Sequence, residues 1–311
     1  MNLKEVKQLL EKYNAGALKK YGQNFLIDDH ILKTIASSLG ENNEFVIEVG
    51  PGLGSLTRFL INYYEKVMAY EIDPKMIEVL KDTITNKLVI KEGDFLKANV
   101  EKDIREEFNS DNIYMIANLP YYITTPIMIK VLEELKSIKK IVIMIQKEVA
   151  DRFLGKPNTK DYNSLSVLIQ TYMNVKKVID VSRNCFYPAP MVDSTVIMLE
   201  RKEKLDFEIY NEEEFLKINR NLFKQRRKTI INNLKDIYDY NEPYTNVEMS
   251  GLVALYEICF EQAWKAMKEI LEQQGFAEER TGSPKLVLKT AFAAGMIKDE
   301  ELWMAALNAR N

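Results

Sequence analysis

Residues 44–54 read Glu44-Phe45-Val46-Ile47-Glu48-Val49-Gly50-Pro51-Gly52-Leu53-Gly54, and this stretch decides the fold. Four of the first six residues are apolar and suit a buried strand, and the glycines that follow suit a sharp turn. A helical pattern then runs from Ser55 to about Glu65. Working outward, a strand at Val67–Tyr70 ends at Glu71-Ile72-Asp73, and Pro74 opens the next helix at a position that favours proline. Leu88–Lys91 is a short strand ending at Gly93-Asp94. Asn112–Ala117 is another, ending at Asn118-Leu119-Pro120-Tyr121. A helix at about 125–136, a strand at 140–146 and a helix at 147–155 continue the alternation. Val175–Val181 and Ser194–Glu200 read as a closing pair of strands around the proline-rich loop 186–190. The expected fold class is therefore α/β, Rossmann-like, with a mostly parallel seven-stranded sheet. From 211 the strand signal stops and an all-helical C-terminal region follows, with residues 237–249 as a junction.

Length and composition agree with more than one domain. The chain has 311 residues, of which 46% are hydrophobic, enough for two domains or one with an appendage. The expected division is 1–203, 204–240 and 241–311. Cys185 and Cys259 are the only cysteines. They match neither a disulfide framework nor a zinc site, which points to a reducing, cytoplasmic setting. No apolar run reaches membrane-spanning length, so no membrane role is expected. Residues 1–13 are amphipathic and mixed in charge, the pattern of a short surface helix. His30 is the single histidine, which excludes histidine-based metal clusters and most catalytic triads; no metal is expected.

The net charge of −3 does not mark a nucleic-acid binder. Yet residues 217–235 carry seven basic side chains and no acid. A local patch matters more than the total for gripping phosphates. Lys224, Arg226, Arg227 and Lys228 are the candidate RNA contacts within it, against the alternative of a solvated helical face.

The loop motifs carry the chemistry. Glycines between strand and helix let a backbone approach a ligand closely. The spacing here is G-x-G-x-G over Gly50, Gly52 and Gly54, not the G-x-G-x-x-G of dinucleotide sites. Glu48 before it would repel a pyrophosphate and would suit the cationic groups of S-adenosylmethionine. Glu71, with Ile72 beside it, stands where an acid accepts ribose hydroxyls; a solvated strand-end charge is the alternative. Asp94 suits an adenine amine with Phe95 covering the ring, and equally a plain turn aspartate. Asn118-Leu119-Pro120-Tyr121 is the most specific motif. An asparagine oxygen and an adjacent backbone carbonyl can both accept from an exocyclic amine, and Tyr121 offers a face for a flipped base. Rate gain there would come from positioning and oriented dipoles. Phe186, in Phe186-Tyr187-Pro188-Ala189-Pro190, would sandwich the base opposite Tyr121, where stacking contributes ~1–3 kcal/mol; the alternative is a core aromatic.

Together these motifs resemble the ribosomal RNA adenine N6,N6-dimethyltransferase family (KsgA type), whose cousins are the macrolide-resistance methylases. The resemblance runs from about Lys19 to Leu234. It includes Gln23-Asn24-Phe25-Leu26, the glycine loop, Glu71, Gly93-Asp94, the Asn118 motif, the Phe186 loop and the basic segment after Phe223. It implies a class I methyltransferase. In it, Gln23, Asn24 and Leu26 help wrap S-adenosylmethionine, and Gly50, Glu71, Asp94 and Asn118 line its pocket. Asn118, Leu119, Tyr121 and Phe186 hold the adenine. It also implies dimethylation of two adjacent adenosines near the 3′ end of small-subunit rRNA, within the small ribosomal subunit. Large-subunit methylation, or an assembly factor with dispensable catalysis, are the alternatives.

After about Lys235 the chain departs from that family. Residues 248–311 resemble the middle of a HEPN-like bundle, the substrate-binding partner of minimal nucleotidyltransferases. The matching pieces include Phe260-Glu-Gln-Ala-Trp264, Gly282-Ser283-Pro284 and Leu302-Trp303. A fusion is implied. An incomplete bundle is expected to expose apolar surface and to self-associate or dock a protein through residues 248–311.

Overall fold

A computed structural model describes residues 1–15, 23–40, 45–108, 110, 112–157, 159–223, 246–276 and 282–310. The chain divides into two compact units, Met1–Leu154 with Tyr172–Glu203, and Gly155–Thr171 with Lys204–Asn311.

The first unit is built on a seven-stranded sheet. Its strands are β2 (Phe45–Val49), β3 (Lys66–Glu71), β4 (Leu88–Glu92), β5 (Ile113–Asn118), β6 (Ile138–Gln146), β7 (Met173–Val181) and β9 (Ser194–Arg201). They lie in the order β4-β3-β2-β5-β6-β9-β7. Six strands run in one direction, and β9, lying between β6 and β7, is antiparallel to both. Strands buried on both faces need continuous apolar runs. Val67–Tyr70 and Ile113–Ala117 are such runs, and Val46–Val49 is one interrupted by Glu48; all three are buried throughout. β7 exposes Asn174, Lys176, Lys177 and Asp180 at one edge of the sheet, and such charges blunt an edge.

Helices connect the parallel strands: α3 (Thr57–Tyr63), α4 (Pro74–Thr83), α5 (Val100–Glu107) and α6 (Thr124–Glu133). Sequence and structure differ at α3. The helix starts at Thr57, because Gly52–Leu56 form turns, and Leu56 gives no side-chain cap. α4 starts where expected. Asp73 caps it by accepting the Lys75 N–H at 3.0 Å, with Pro74 in its first turn.

Several elements were not read from the sequence, among them α5 and two short strands. Phe25–Leu26 (β1) and Phe186–Tyr187 (β8) pair as a short antiparallel ribbon. The N-terminal helix α1 (Leu3–Lys12) is amphipathic as expected. It is docked rather than free: Val6 and Tyr13 pack with Phe25, Leu53, Met76 and Val79.

The second unit is helical, with α9 (Glu212–Leu222), α10 (Asn246–Gln273), α11 (Pro284–Ala293) and α12 (Glu300–Arg310). Residues 246–249, read as part of a junction, form the start of α10; residues 237–245 lie outside the described residues. Phe260, Met267, Leu271, Val287, Leu288, Ala291, Ile297 and Leu307 make the core of the last three helices. Ser283 caps α11 by accepting the Leu286 N–H at 3.3 Å. Among the described residues no helix is long and apolar enough to cross a membrane.

Candidate active site

In sheets wound this way, ligands bind beyond the carboxyl ends of the strands, where the strand order reverses. Here that point lies between β2 and β5. The pocket there is lined by the ends of β2, β3, β4 and β5, by residues 23–26, and by residues 119–123.

The glycine turn forms its floor. Gly50 and Gly52 both line the pocket and have φ of +68° and +56°, values that L side chains adopt at a cost. A Cβ at Gly52 would also stand 3.2 Å from the Phe25 ring. Gly54 differs from the expectation of a cofactor contact. It is not among the lining residues, and a Cβ there would meet Leu80 and Ile84 at 2.9 Å. Gly54 is needed for packing against α4.

Glu71 closes the turn from the side. Its Oε2 accepts the Gly52 N–H at 3.0 Å, and its Oε1 accepts the Ile72 and Asp73 N–H groups, both at 2.8 Å. Burial pushes its carboxyl above the ordinary range, while those three N–H donors oppose the shift. The carboxylate thus pins the glycine turn to the end of β3, a job that sequence spacing does not reveal, and it lines the pocket as well.

Glu48 also lines the pocket but is 1% exposed. Its Oε2 accepts the Thr57 hydroxyl at 2.7 Å. Burial pushes its carboxyl up to about 8, so the protonated form prevails at neutral pH. Burial thus works against the anionic form that the sequence suggested as the counterpart to a cation.

The wall at the ends of β3 and β4 is apolar with acceptors at its rim. Phe95 is 4% exposed and meets Tyr70 edge-on at 5.2 Å. The Tyr70 hydroxyl donates to Asp103 at 2.8 Å, which braces that pair. Ile72 is exposed and lines the mouth. Asp94 lines the pocket while its Oδ1 accepts the Leu96 N–H at 3.0 Å, so its turn role leaves it on the pocket wall.

The segment 23–26 crosses the pocket. Gln23 Nε2 donates to Asp73 Oδ2 at 2.8 Å. Asn118 Nδ2 donates to the Asn24 carbonyl at 3.3 Å. Leu26 is buried and lines the inner wall. The bond to Asn24 fixes the Asn118 amide with its nitrogen toward the segment, leaving Oδ1 as an acceptor. Leu119 is buried, with its N–H donating to Met144 at 3.2 Å. Tyr121 lines the pocket and its hydroxyl pairs with Ser194 Oγ at 2.8 Å. Burial raises its phenol, which stays neutral.

Phe186 requires correction. It is 4% exposed, sits in the core cluster with Leu32, Ile35 and Val196, and does not line the pocket. Its pairing with Leu26 in the β1–β8 ribbon turns it inward. It is a core aromatic here, not a second stacking face. Tyr122, by contrast, is 59% exposed and lines the pocket; the doubled tyrosine after Pro120 was the available signal. Lys224, Arg226, Arg227 and Lys228 lie outside the described residues.

These residues fit S-adenosylmethionine. A floor without side chains admits close backbone approach, and carboxylates stand at two strand ends. An apolar wall suits a purine.

Comparison with known proteins agrees. A model described as ribosomal RNA adenine dimethylase matches residues 15–258. One described as nucleotidyltransferase substrate binding protein like matches residues 216–311. The ribosomal RNA small subunit methyltransferase A of Anoxybacillus flavithermus is 47% identical over 234 residues, 73% of this chain and 79% of that protein. That of Clostridioides difficile is 44% identical over 235 residues, 73% and 80%. Among solved structures, a dimethyladenosine transferase from Plasmodium falciparum superposes with a TM-score of 0.57 at 27% identity. It covers 87% of this chain and 98% of that one. The 23S rRNA methyltransferase ErmE gives 0.55 at 27% identity, covering 70% and 85%. With the family model spanning most of the chain, and the glycine turn, its carboxylates and the Asn118 motif gathered in one pocket, the chain belongs to the ribosomal RNA adenine dimethylase family.

Proposed function

We propose that this chain uses S-adenosylmethionine to dimethylate N6 of adenosines in small-subunit rRNA, two adjacent ones near the 3′ end. The observation that carries the reading is the Asn118 amide. With Nδ2 engaged by Asn24, Oδ1 is left to accept from an adenine amine. The Leu119 carbonyl is the second acceptor, and Tyr121 supplies the stacking face. S-adenosylmethionine supplies an electrophilic methyl when bound. Two acceptors on one amine direct its lone pair toward that methyl and stabilise the positive charge that develops on nitrogen. The proton leaves after the nitrogen becomes cationic, so no strong base is needed. We read Gln23, Asn24, Leu26, Glu48, Gly50, Gly52, Glu71, Ile72, Asp94 and Phe95 as the cofactor side. Identity near 45% to proteins named for the small subunit favours that substrate over large-subunit RNA.

Residues 1–203 are read as the catalytic domain, 204–240 as an RNA-facing segment and 241–311 as an appendage, acting in the cytoplasm. Leu286, Phe292 and Leu302 are exposed on that appendage, at 42%, 42% and 65%, and we read them as a self-association or docking face. A clean monomer in light scattering at micromolar concentration would exclude self-association.

The test of the main reading is transfer of labelled methyl from S-adenosylmethionine to purified, unmethylated small and large subunits. Label in N6,N6-dimethyladenosine of the small subunit supports it. Label confined to the large subunit supports the resistance-type alternative instead.

A further inference from the structure

Tyr121 is the aromatic face offered to the target base, and its hydroxyl is anchored outside its own segment. It lies in a single 3-10 turn, Tyr121–Ile123, whose cap Pro120 supplies no side-chain hydrogen bond. Its hydroxyl instead reaches Ser194 Oγ, 2.8 Å away and 73 residues on in sequence. Ser194 is fully buried and opens β9. It pairs with Gln146 on β6 and with Val181 on β7, so three strands fix its place. The preceding residue is clamped too. Asp193 Oδ1 accepts the Arg183 N–H at 2.9 Å, and the Asp193 carbonyl accepts the Lys147 N–H at 3.0 Å. The hydroxyl pair therefore ties a ring on one short turn to a rigid point of the sheet. A buried hydroxyl left without its partner would be costly, so the pair also holds itself together.

We propose that Ser194 is a positioning residue for methyl transfer: its side-chain oxygen fixes the tilt of the Tyr121 ring, so that the ring presents its face to the target adenine. The inference rests on the reading of Tyr121 given above. Small misplacements of a reacting group lower rates steeply, by on the order of a hundredfold for about 1 Å.

The experiment compares Ser194→Ala, Ser194→Thr, Tyr121→Phe and the double variant S194A/Y121F in the full chain. Single-turnover methyl transfer to unmethylated small subunits is measured beside the dissociation constant for S-adenosylmethionine. Ser194→Ala is expected to slow transfer by on the order of tenfold or more, with cofactor affinity unchanged. Ser194→Thr, which keeps a hydroxyl, should recover most of the rate. Tyr121→Phe should lose a similar factor, and the double variant no more than either single change. Wild-type rate in Ser194→Ala overturns the proposal, as do losses that add in the double variant. A rate loss matched by a loss of cofactor binding also overturns it, since that would be a general structural defect. A second readout does not need catalysis. With ring-labelled tyrosine, the Tyr121 resonances should shift in Ser194→Ala and return in Ser194→Thr; unmoved resonances contradict the contact. A wild-type chain that transfers no methyl while those resonances behave as expected would remove the reading of the reaction, a failure distinct from that of the contact.

Discussion

The strand ends of the sheet unit and the last three helices of the helical unit, α10–α12, both bury apolar side chains, but they treat polar ones differently. Around the strand ends, Glu48, Thr57, Glu71, Asp73 and Ser194 are all buried, and each is bonded to a named partner. In α10–α12 the core is Leu, Met, Val, Ile, Ala and Phe, with aromatic contacts such as Phe260–Trp303 at 6.1 Å. Burying carboxyl groups costs free energy unless they are satisfied. Their concentration beside a glycine turn marks the place where the fold is shaped for a ligand. A purely apolar core marks a scaffold.

The largest expected effect falls at the pocket. Asn118→Ala should slow methyl transfer by on the order of a thousandfold, while calorimetric affinity for S-adenosylmethionine changes little. Wild-type turnover in that variant would erase the contrast between the units. Next comes the scaffold. Leu288 is fully buried in the helical core, and Leu288→Ala should cost about 3 kcal/mol of that unit's stability through lost burial and a cavity. Chemical denaturation followed by circular dichroism reads the loss, and cofactor affinity should stay constant. A comparable loss of affinity would mean that the two units share function.

Gly54→Ala sharpens the comparison within the sheet unit. A φ of +79° and contacts at 2.9 Å with Leu80 and Ile84 should cost about 1–3 kcal/mol of stability. Cofactor affinity of the folded variant should be nearly intact, because Gly54 packs on α4 and leaves the pocket floor to Gly50 and Gly52. The smallest effect concerns Glu48. Its folded carboxyl is pushed up to about 8 from an ordinary 4.5, so the folded chain binds a proton that the unfolded chain has released across that window. Stability contributed by this group is then full below about pH 4.5 and falls as pH rises toward 8. Glu48→Gln should flatten that slope, melting higher than wild type at pH 8 and equally at pH 4. Parallel melting curves at all pH values would show that Glu48 is ionised in the fold.

The strands of the sheet were legible because buried parallel strands are mostly apolar runs, and each of the first four ends in a motif. The start of α3 was not, since Ser55 and Leu56 suit a helix as well as the turn they adopt. Phe186 misled for a different reason. Its inward direction depends on pairing with Leu26, a contact between distant parts of the chain that periodicity cannot supply. The backbone bonds of Glu71 were hidden similarly: spacing places a carboxylate at a strand end but not the three N–H groups that converge on it. Tyr122 and Ser194 gained meaning only in three dimensions, where Tyr122 lines the pocket and Ser194 meets the Tyr121 hydroxyl.

The most direct test of the central claim is nucleoside mass spectrometry of small-subunit RNA from cells lacking their own adenine dimethylase and expressing this full chain. The account expects N6,N6-dimethyladenosine to return in wild-type cultures and to stay absent with Asn118→Ala. Undimethylated small-subunit RNA, despite folded chain that binds S-adenosylmethionine, would contradict it.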